Sequence, residues 1–323
     1  MTATASLDFD QVLAAGERIA GKLHRTPVLT SHLLDELTGA EVFFKAEHLQ
    51  KVGAFKARGA TNAVLRLDTD RARAGVATHS SGNHGAALAM AAAARGIAAH
   101  IVMPANAPEV KKAAVAAYGG LIVECEPTLA AREETLARVV AATGASEIHP
   151  YNHPDIIAGQ GTAALELLQQ VDNLDVVVVP VGGGGLLAGT ALAVKGSKVG
   201  AEVLAVEPEG ADDAFRSLGL GQLQPQTNPR TIADGLRTSL GELNFSIIRT
   251  QVDTIITVPD TRIVEAMQLQ WSRMKQVVEP SGAVSFAGLL EHPERFRGRR
   301  VGVVISGGNL DLTNLPWVNR EVS

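Results

Sequence analysis

Lys51-Val-Gly-Ala-Phe-Lys-Ala-Arg-Gly59 sets two lysines and an arginine beside Gly53 and Gly59, shortly after the apolar run Val42-Phe43-Phe44. A lysine that follows a glycine-containing turn at the mouth of a helix is a good place for a reactive amine. Burial and neighbouring positive charge lower its pKa, and the neutral amine can form an imine with an aldehyde. The helix N-terminus that follows can hold an anion. Lys56 is the candidate amine. The competing reading is a surface Lys/Arg patch at a helix start, and this stretch alone does not decide between them.

Working outward, apolar spacing predicts a helix over 8–22, an extended piece at Thr26-Pro27-Val28-Leu29, and a helix over 32–38 capped by Ser31 and closed by Gly39. A strand over 41–46 leads into the Lys56 stretch and a helix through about Leu67. From Gly75 the pattern alternates: strand 76–78, helix to Arg95, strand 98–103, helix from Pro108 to Tyr118, strand 121–125, helix 129–142. This βαβαβα order marks a parallel sheet covered by helices. Helix 156–171 leads to Val176-Val-Val-Val-Pro180, a continuous apolar strand of the buried parallel kind. Strands 203–206, 254–258 and 301–305, and helices 212–218, 261–277 and 283–291, complete the chain.

The 323 residues are 46% hydrophobic, enough for a large core and about two domains. Charged residues are 20% and the net charge is −5, which gives no reason to expect nucleic acid or an anionic membrane as partner. A single cysteine, Cys125, excludes an intrachain disulfide and a cysteine metal cage, and suits a reducing cytoplasm. The start MTATASLDFDQ has no basic-then-apolar leader pattern. No apolar run reaches the roughly 18 residues of a membrane span.

Three glycine-rich loops fall at the C-terminal ends of strands, where open α/β sheets bind ligands. Gly182-Gly183-Gly184-Gly185 opens a helix, and side-chain-free amides there make a phosphate cradle. The absence of Gly-Lys-Ser/Thr argues against a P-loop hydrolase. Gly183-x-Gly185-x-x-Ala188, with Glu207 about twenty residues on, also fits the dinucleotide fingerprint, so an NAD-dependent oxidoreductase is a rival. Ser80-Ser81-Gly82-Asn83-His84-Gly85 offers amides and hydroxyls to a carboxylate, and Asn83 to a phenolic oxygen; the alternative is an ordinary capped helix. Ser306-Gly-Gly-Asn309 places a hydroxyl for a ring nitrogen or is merely a tight turn. Glu279-Pro-Ser-Gly282 caps a helix near the same site. His149 and His153 are separated from a shared helix by Pro150 and Pro154, which argues against zinc.

These motifs, Gly-Ala-Phe-Lys-Ala-Arg-Gly, Ser-Ser-Gly-Asn-His-Gly, the tetraglycine, Glu-Pro-Ser-Gly and Ser-Gly-Gly-Asn, occur in the same order in the fold-type II pyridoxal-phosphate enzymes. The resemblance runs from Thr26-Pro27 to Asn309 and is strongest to serine racemase and the serine/threonine and 3-hydroxyaspartate dehydratases. It implies an α/β fold of two parallel-sheet domains (tryptophan synthase β-like), with a small domain at 72–147 inserted between 1–71 and 148–323. Pyridoxal 5'-phosphate would lie in the cleft between them.

The resemblance implies roles as well. Lys56 would be the Schiff-base lysine and the base on one face of the substrate, and Ser81 the base on the other. Phe55 would pack beside the ring, Asn83 would bond its O3', Gly182 to Gly185 would hold the phosphate and Ser306 the pyridine nitrogen. Ser80, His84, Arg132 and Glu279 would face the substrate. Either Arg132 or Arg237 could pair bidentately with a second carboxylate, as in 3-hydroxyaspartate; two surface arginines are the alternative. Glu207, Asp213 and the Ala211 carbonyl resemble the family's divalent-cation site, suited to Mg²⁺, Ca²⁺ or Mn²⁺; a plain acidic helix N-terminus is the alternative. Ala86 stands where the eukaryotic racemases carry a glutamine that contacts ATP, although Lys275, Asn309 and Tyr118 match other parts of that site. ATP is therefore a doubtful effector. A homodimer is implied by the family alone.

The expected activity is elimination of water from a hydroxy amino acid such as L-serine or L-threonine, giving a 2-oxo acid and ammonia, with serine racemisation beside it. A 3-hydroxyaspartate dehydratase is the near alternative. A phosphate-sensing protein that keeps the fold without the chemistry is the alternative of a different class.

Overall fold

The computed structural model describes residues 7–318; residues 1–6, part of the stretch read for a leader, lie outside them. Ten strands are present among the described residues: β1 (Val28–Leu29), β2 (Glu41–Ala46), β3 (Val76–His79), β4 (Ala99–Pro104), β5 (Leu121–Cys125), β6 (Ser146–Glu147), β7 (Val176–Pro180), β8 (Glu202–Pro208), β9 (Thr254–Val258) and β10 (Arg300–Ile305). They form two sheets. One has six strands in the order β1-β2-β10-β7-β8-β9, the other four in the order β5-β4-β3-β6. Every pairing is parallel except β1 with β2.

Parallel strands need crossover helices, and those helices bury both faces of the large sheet. Val177 and Val179 pack into one apolar cluster, Val176 and Val178 into another on the opposite face. The unbroken valine run of β7 is the consequence. The small sheet draws all its strands from residues 76–147, inside the expected insert.

The helix Lys56–Arg66 packs on both sides of the cleft. Its Ala57, Ala60, Ala63 and Val64 share a core with Ala87, Leu88 and Ala91 of the helix Asn83–Arg95, and with Ile156 of the helix Pro154–Gln170. Small residues allow the approach: a Cβ on Gly159 would lie 2.6 Å from Gly59 Cα, and one on Gly59 would lie 2.8 Å from the Ile156 carbonyl. That contact fixes the height of Lys56 relative to the segment preceding Pro154.

Element limits differ from expectation in places. The helices Thr69–Ala74 and Glu242–Gln251 and the short β6 were not expected. The helix expected from 156 begins at Pro154, with proline in its first turn and His153 Nδ1 accepting from Asp155 N. The helix expected to reach 277 stops at Met274, because Lys275 adopts φ 60°. Gly39 closes its helix at φ 68°, but the Ser31 side chain makes no capping bond. No helix among the described residues is long and apolar enough to cross a membrane.

Candidate active site

The basic residues of the opening stretch separate into three environments. Lys51 is exposed. Arg58 is wholly buried, paired through Nε with Glu47 at 2.7 Å and through Nη1 with Glu166 at 2.8 Å. Lys45 joins the same buried network through Glu166 at 2.7 Å. These partners rule out the surface-patch reading for Arg58. Lys56 opens its helix and turns into a cavity of about 760 Å³ between the sheets. Its Nζ donates to the Pro150 carbonyl at 2.8 Å and lies 5.2 Å from the centroid of the Phe55 ring. Among the described residues no carboxylate pairs with it, and desolvation pushes its pKa down to about 8.

The backbone just before Lys56 is unusual. Val52 and Gly53 both lie in the left-handed region, at φ 57° and 68°. A β-branched residue there is strained. Asn309 holds the turn: its Nδ2 donates to the Val52 carbonyl at 2.6 Å. Phe55 N also donates to the Ser306 carbonyl at 3.1 Å. The first and last glycine-bearing motifs are thus tied together, and Ser306 lines the cavity with its Oγ donating to Ser281 O at 3.2 Å.

Gly182 to Gly185 form the floor between β7 and the helix Gly185–Gly196. A Cβ on Gly183 would lie 2.3 Å from the Tyr151 ring, and one on Gly184 (φ 89°) would lie 2.5 Å from Leu240. Side chains are excluded there by packing as well as by backbone conformation. Asn244 Nδ2 holds the Gly183 carbonyl at 2.5 Å, and the loop lines the cavity at a helix N-terminus. Gly182, Gly183 and Gly184 donate their N–H groups to no described residue.

The loop Ser80–Gly85 lines the facing wall. Gly82 N donates to Ser80 Oγ at 3.3 Å. Ser81 is half-buried and makes no hydrogen bond with the described residues. Asn83 Nδ2 donates to Glu279 Oε1 at 2.8 Å, and Asn309 N to Glu279 Oε2 at 3.0 Å. Burial, followed by the charge of Asp234, pushes Glu279 up to about 8. His84 is buried; its Nε2 donates to the Ile148 carbonyl at 3.1 Å, and burial holds its pKa well below the usual imidazole value.

Arg132 lies in the same cavity, with Nε donating to the Thr128 carbonyl at 3.3 Å and the ends of its guanidinium bonded to no described residue. Arg237 also lines it, but two of its nitrogens are committed to the Thr231 carbonyl. Sequence reasoning missed His149 as a cavity residue, and it missed Tyr151 and the Lys111–Asp234 ion pair altogether. In the sequence the His149/His153 pattern speaks only to a metal site, and only the fold brings these segments to the cleft.

Glu207 ends β8 away from the cavity. It is fully buried, and its two oxygens accept Ala214 N at 3.0 Å and Phe215 N at 2.7 Å. Both oxygens of the carboxylate are thus turned to a helix, not to a ribose, which removes the main support for the NAD rival. Asp213 Oδ2 accepts Leu240 N at 2.7 Å, while its buried Oδ1 has no partner among the described residues. Burial lifts both acids, Glu207 well above the usual carboxylate range and Asp213 to about 6. No group of three His, Cys, Asp or Glu that could cage a metal exists among the described residues.

A neutral-prone lysine facing a side-chain-free anion cradle, in a cleft between two parallel sheets, defines a carbonyl-cofactor enzyme of the α/β class. The pyridoxal-phosphate dependent enzyme family matches residues 19–307, and the chain belongs to it. It is 52% identical to a beta-hydroxyaspartate dehydratase of Paracoccus denitrificans over 96% of this chain and 98% of that one. It is 47% identical to the serine racemase of Homo sapiens over 99% and 96%. The structure of a T.th. threonine deaminase superposes with TM-score 0.91, at 47% identity, over 95% of this chain and 100% of that one. The residues present fit the family's cofactor: a desolvated amine for its aldehyde, free amides for its phosphate, and the Ser306 hydroxyl deep in the cavity.

Proposed function

We propose that this protein removes water from a hydroxy amino acid such as L-serine or L-threonine and releases a 2-oxo acid and ammonia, with serine racemisation as a second activity. The observation that carries the proposal is Lys56: an amine lowered to about 8, without an acid partner, in one cavity with the tetraglycine cradle and Ser81. When bound, pyridoxal phosphate supplies the sink for charge left at the substrate Cα. Lys56 takes the Cα proton on one face. The β-hydroxyl leaves as water by taking up one proton, which balances the one removed from Cα, and hydrolysis of the enamine gives the 2-oxo acid and ammonia. Ser81 serves the other face, where return of the proton inverts the centre. Phe55 and Asn83 flank the cofactor ring, Gly182 to Gly185 hold its phosphate and Ser306 meets its nitrogen. Ser80, His84 and Glu279 shape the substrate end.

A 3-hydroxyaspartate dehydratase is the second reading, favoured by the uncommitted end of the Arg132 guanidinium, which can donate two hydrogen bonds to a second carboxylate. We also assign a divalent cation, Mg²⁺ or a similar hard ion, to Glu207, Asp213 and the Ala211 carbonyl. The orphaned Asp213 Oδ1 supports it. A homodimer in the cytoplasm completes the proposal; the family resemblance supports the first and the lone free Cys125 the second. The test is release of 2-oxo acid from serine, threonine and 3-hydroxyaspartate, with chiral chromatography beside it. No product from any of the three would overturn the assignment.

A further inference from the structure

His149 stands in the cavity wall, one residue before the carbonyl that holds Lys56. Its Nδ1 faces two backbone N–H groups, Asn152 at 2.9 Å and Tyr151 at 3.3 Å. Both partners can only donate, so Nδ1 must be the acceptor, and the proton of the neutral ring sits on Nε2. Burial, with His79 and Lys56 nearby, holds the ring pKa at about 4, so it remains neutral. The ring stands edge-on to Tyr151 at 4.5 Å and to His79 at 6.1 Å between centroids, which fixes its direction. Nε2 bonds to no described residue and is not among the buried unpartnered atoms. The cavity therefore contains a fixed, uncharged N–H donor whose partner is none of the described residues. His84 also carries its proton on Nε2, but spends it on the Ile148 carbonyl.

The surroundings indicate what that donor meets. Arg132 lines the same cavity and is close enough to His79 to lower its pKa. His79 in turn neighbours His149. An imidazole N–H and an uncommitted guanidinium on one wall suit an oxygen acceptor at the side-chain end of the substrate.

We infer that His149 is a specificity-determining residue that donates a hydrogen bond from Nε2 to an oxygen on the substrate's side chain. The inference rests on the amino-acid substrate proposed above. A neutral imidazole is a useful donor here, because it polarises an oxygen without adding a second cation beside Lys56. The acceptor is either the β-hydroxyl or a second carboxylate, and both present the same chemistry.

Two variants separate this role from that of a loop cap. His149→Asn keeps an acceptor for Asn152 N but removes the distant donor. His149→Gln keeps a donor near the Nε2 position but loses the cap. Loss of one hydrogen bond to a reacting or charged oxygen is expected to cost roughly tenfold. The holoenzyme variants are compared by kcat/KM for L-serine and by calorimetric affinity for aspartate, which has the second carboxylate and no hydroxyl. The Gln variant should exceed the Asn variant at least about tenfold in one of the two measurements. A gap in serine turnover alone assigns the β-hydroxyl; a gap in aspartate affinity assigns the carboxylate. A smaller gap in both, or the reverse order, overturns the inference and leaves His149 as a loop cap. Wild-type enzyme inactive on every hydroxy amino acid would sink the proposed reaction, while the aspartate measurement would still report on His149.

Discussion

Lys56 Nζ donates to the Pro150 carbonyl at 2.8 Å, and no carboxylate among the described residues pairs with it. A carbonyl accepts from the amine without stabilising its charged form as an acid would, so burial brings the neutral amine within reach at about 8 rather than 10.5. Lys56→Ala should abolish the visible absorption of the bound cofactor and lower kcat by roughly 10²–10⁴-fold. Retention of both in the purified variant would remove Lys56 from the chemistry.

Gly183 allows the Tyr151 ring to close over the cradle. A Cβ at that position would lie 2.3 Å from the ring. Gly183→Ala must displace Tyr151 or the loop, at about 1–3 kcal/mol. The variant should melt lower and lose cofactor faster on dialysis. Unchanged retention would show that the cradle does not depend on this contact.

Glu207 near the end of β8 and Asp213 at the start of the helix Asp213–Leu220 give a prediction about metal. Asp213 Oδ1 is buried without a partner among the described residues and Glu207 is nearby; each is lifted by burial. A cation binding only the folded state at a hundredfold excess over its Kd would add about 2.7 kcal/mol. EDTA should lower the melting temperature and Mg²⁺ or Ca²⁺ restore it. Identical melting and activity after verified metal removal would leave the pair as a helix cap.

The motifs of the cleft were legible because each is local: a strand, a glycine-rich turn and a helix start within about ten residues. Gly182 to Gly185 and Ser80 to Gly85 need no distant partner to be recognised. Arg58 was not legible in the same way. Its burial depends on Glu47, 11 residues back, and on Glu166, 108 residues ahead. His149 and Tyr151 belong to an irregular segment between β6 and the helix Pro154–Gln170, whose prolines say only that the chain turns. The tautomer of His149 follows from the amides of that turn, and no periodicity encodes it. The left-handed Val52 is also invisible in sequence, since valine is a residue that avoids that conformation.

Stability should depend on pH through two groups of the cleft. Glu279 binds its proton up to about 8 when folded, against an ordinary value of 4.5. Between these values the folded state holds more protons than the unfolded one, so stability falls as pH rises. Lys56 is neutral above about 8 when folded, against 10.5 for a free lysine. There the unfolded state holds more protons, and stability rises with pH. In cofactor-free protein the two opposing slopes meet near pH 8, each at most about 1.4 kcal/mol per pH unit. Glu279→Gln should flatten the lower limb in denaturant titrations between about pH 5 and 8, a range set by the burial of that carboxyl. An unchanged slope in the variant would show that Glu279 titrates normally.

Ser81 divides the two proposed activities. Racemisation needs a proton donor and acceptor on each face of a planar carbanion, whereas elimination needs one base and an acid for the leaving group. Lys56 and Ser81 line one cavity, and Ser81 Oγ makes no hydrogen bond with the described residues. A serine hydroxyl is a weak base unless positive charge lowers its pKa, and Lys56 in the same cavity is the group that can supply it. If Ser81 is the second base, Ser81→Ala keeps much of the dehydration of the L-substrate and loses both L-to-D conversion and turnover of D-substrate. If Ser81 only binds the substrate carboxylate, both reactions fall together and KM rises for each. Chiral chromatography run beside a 2-oxo acid assay distinguishes the two. Wild-type enzyme that forms no D-amino acid at all would remove the racemase activity and leave a dehydratase.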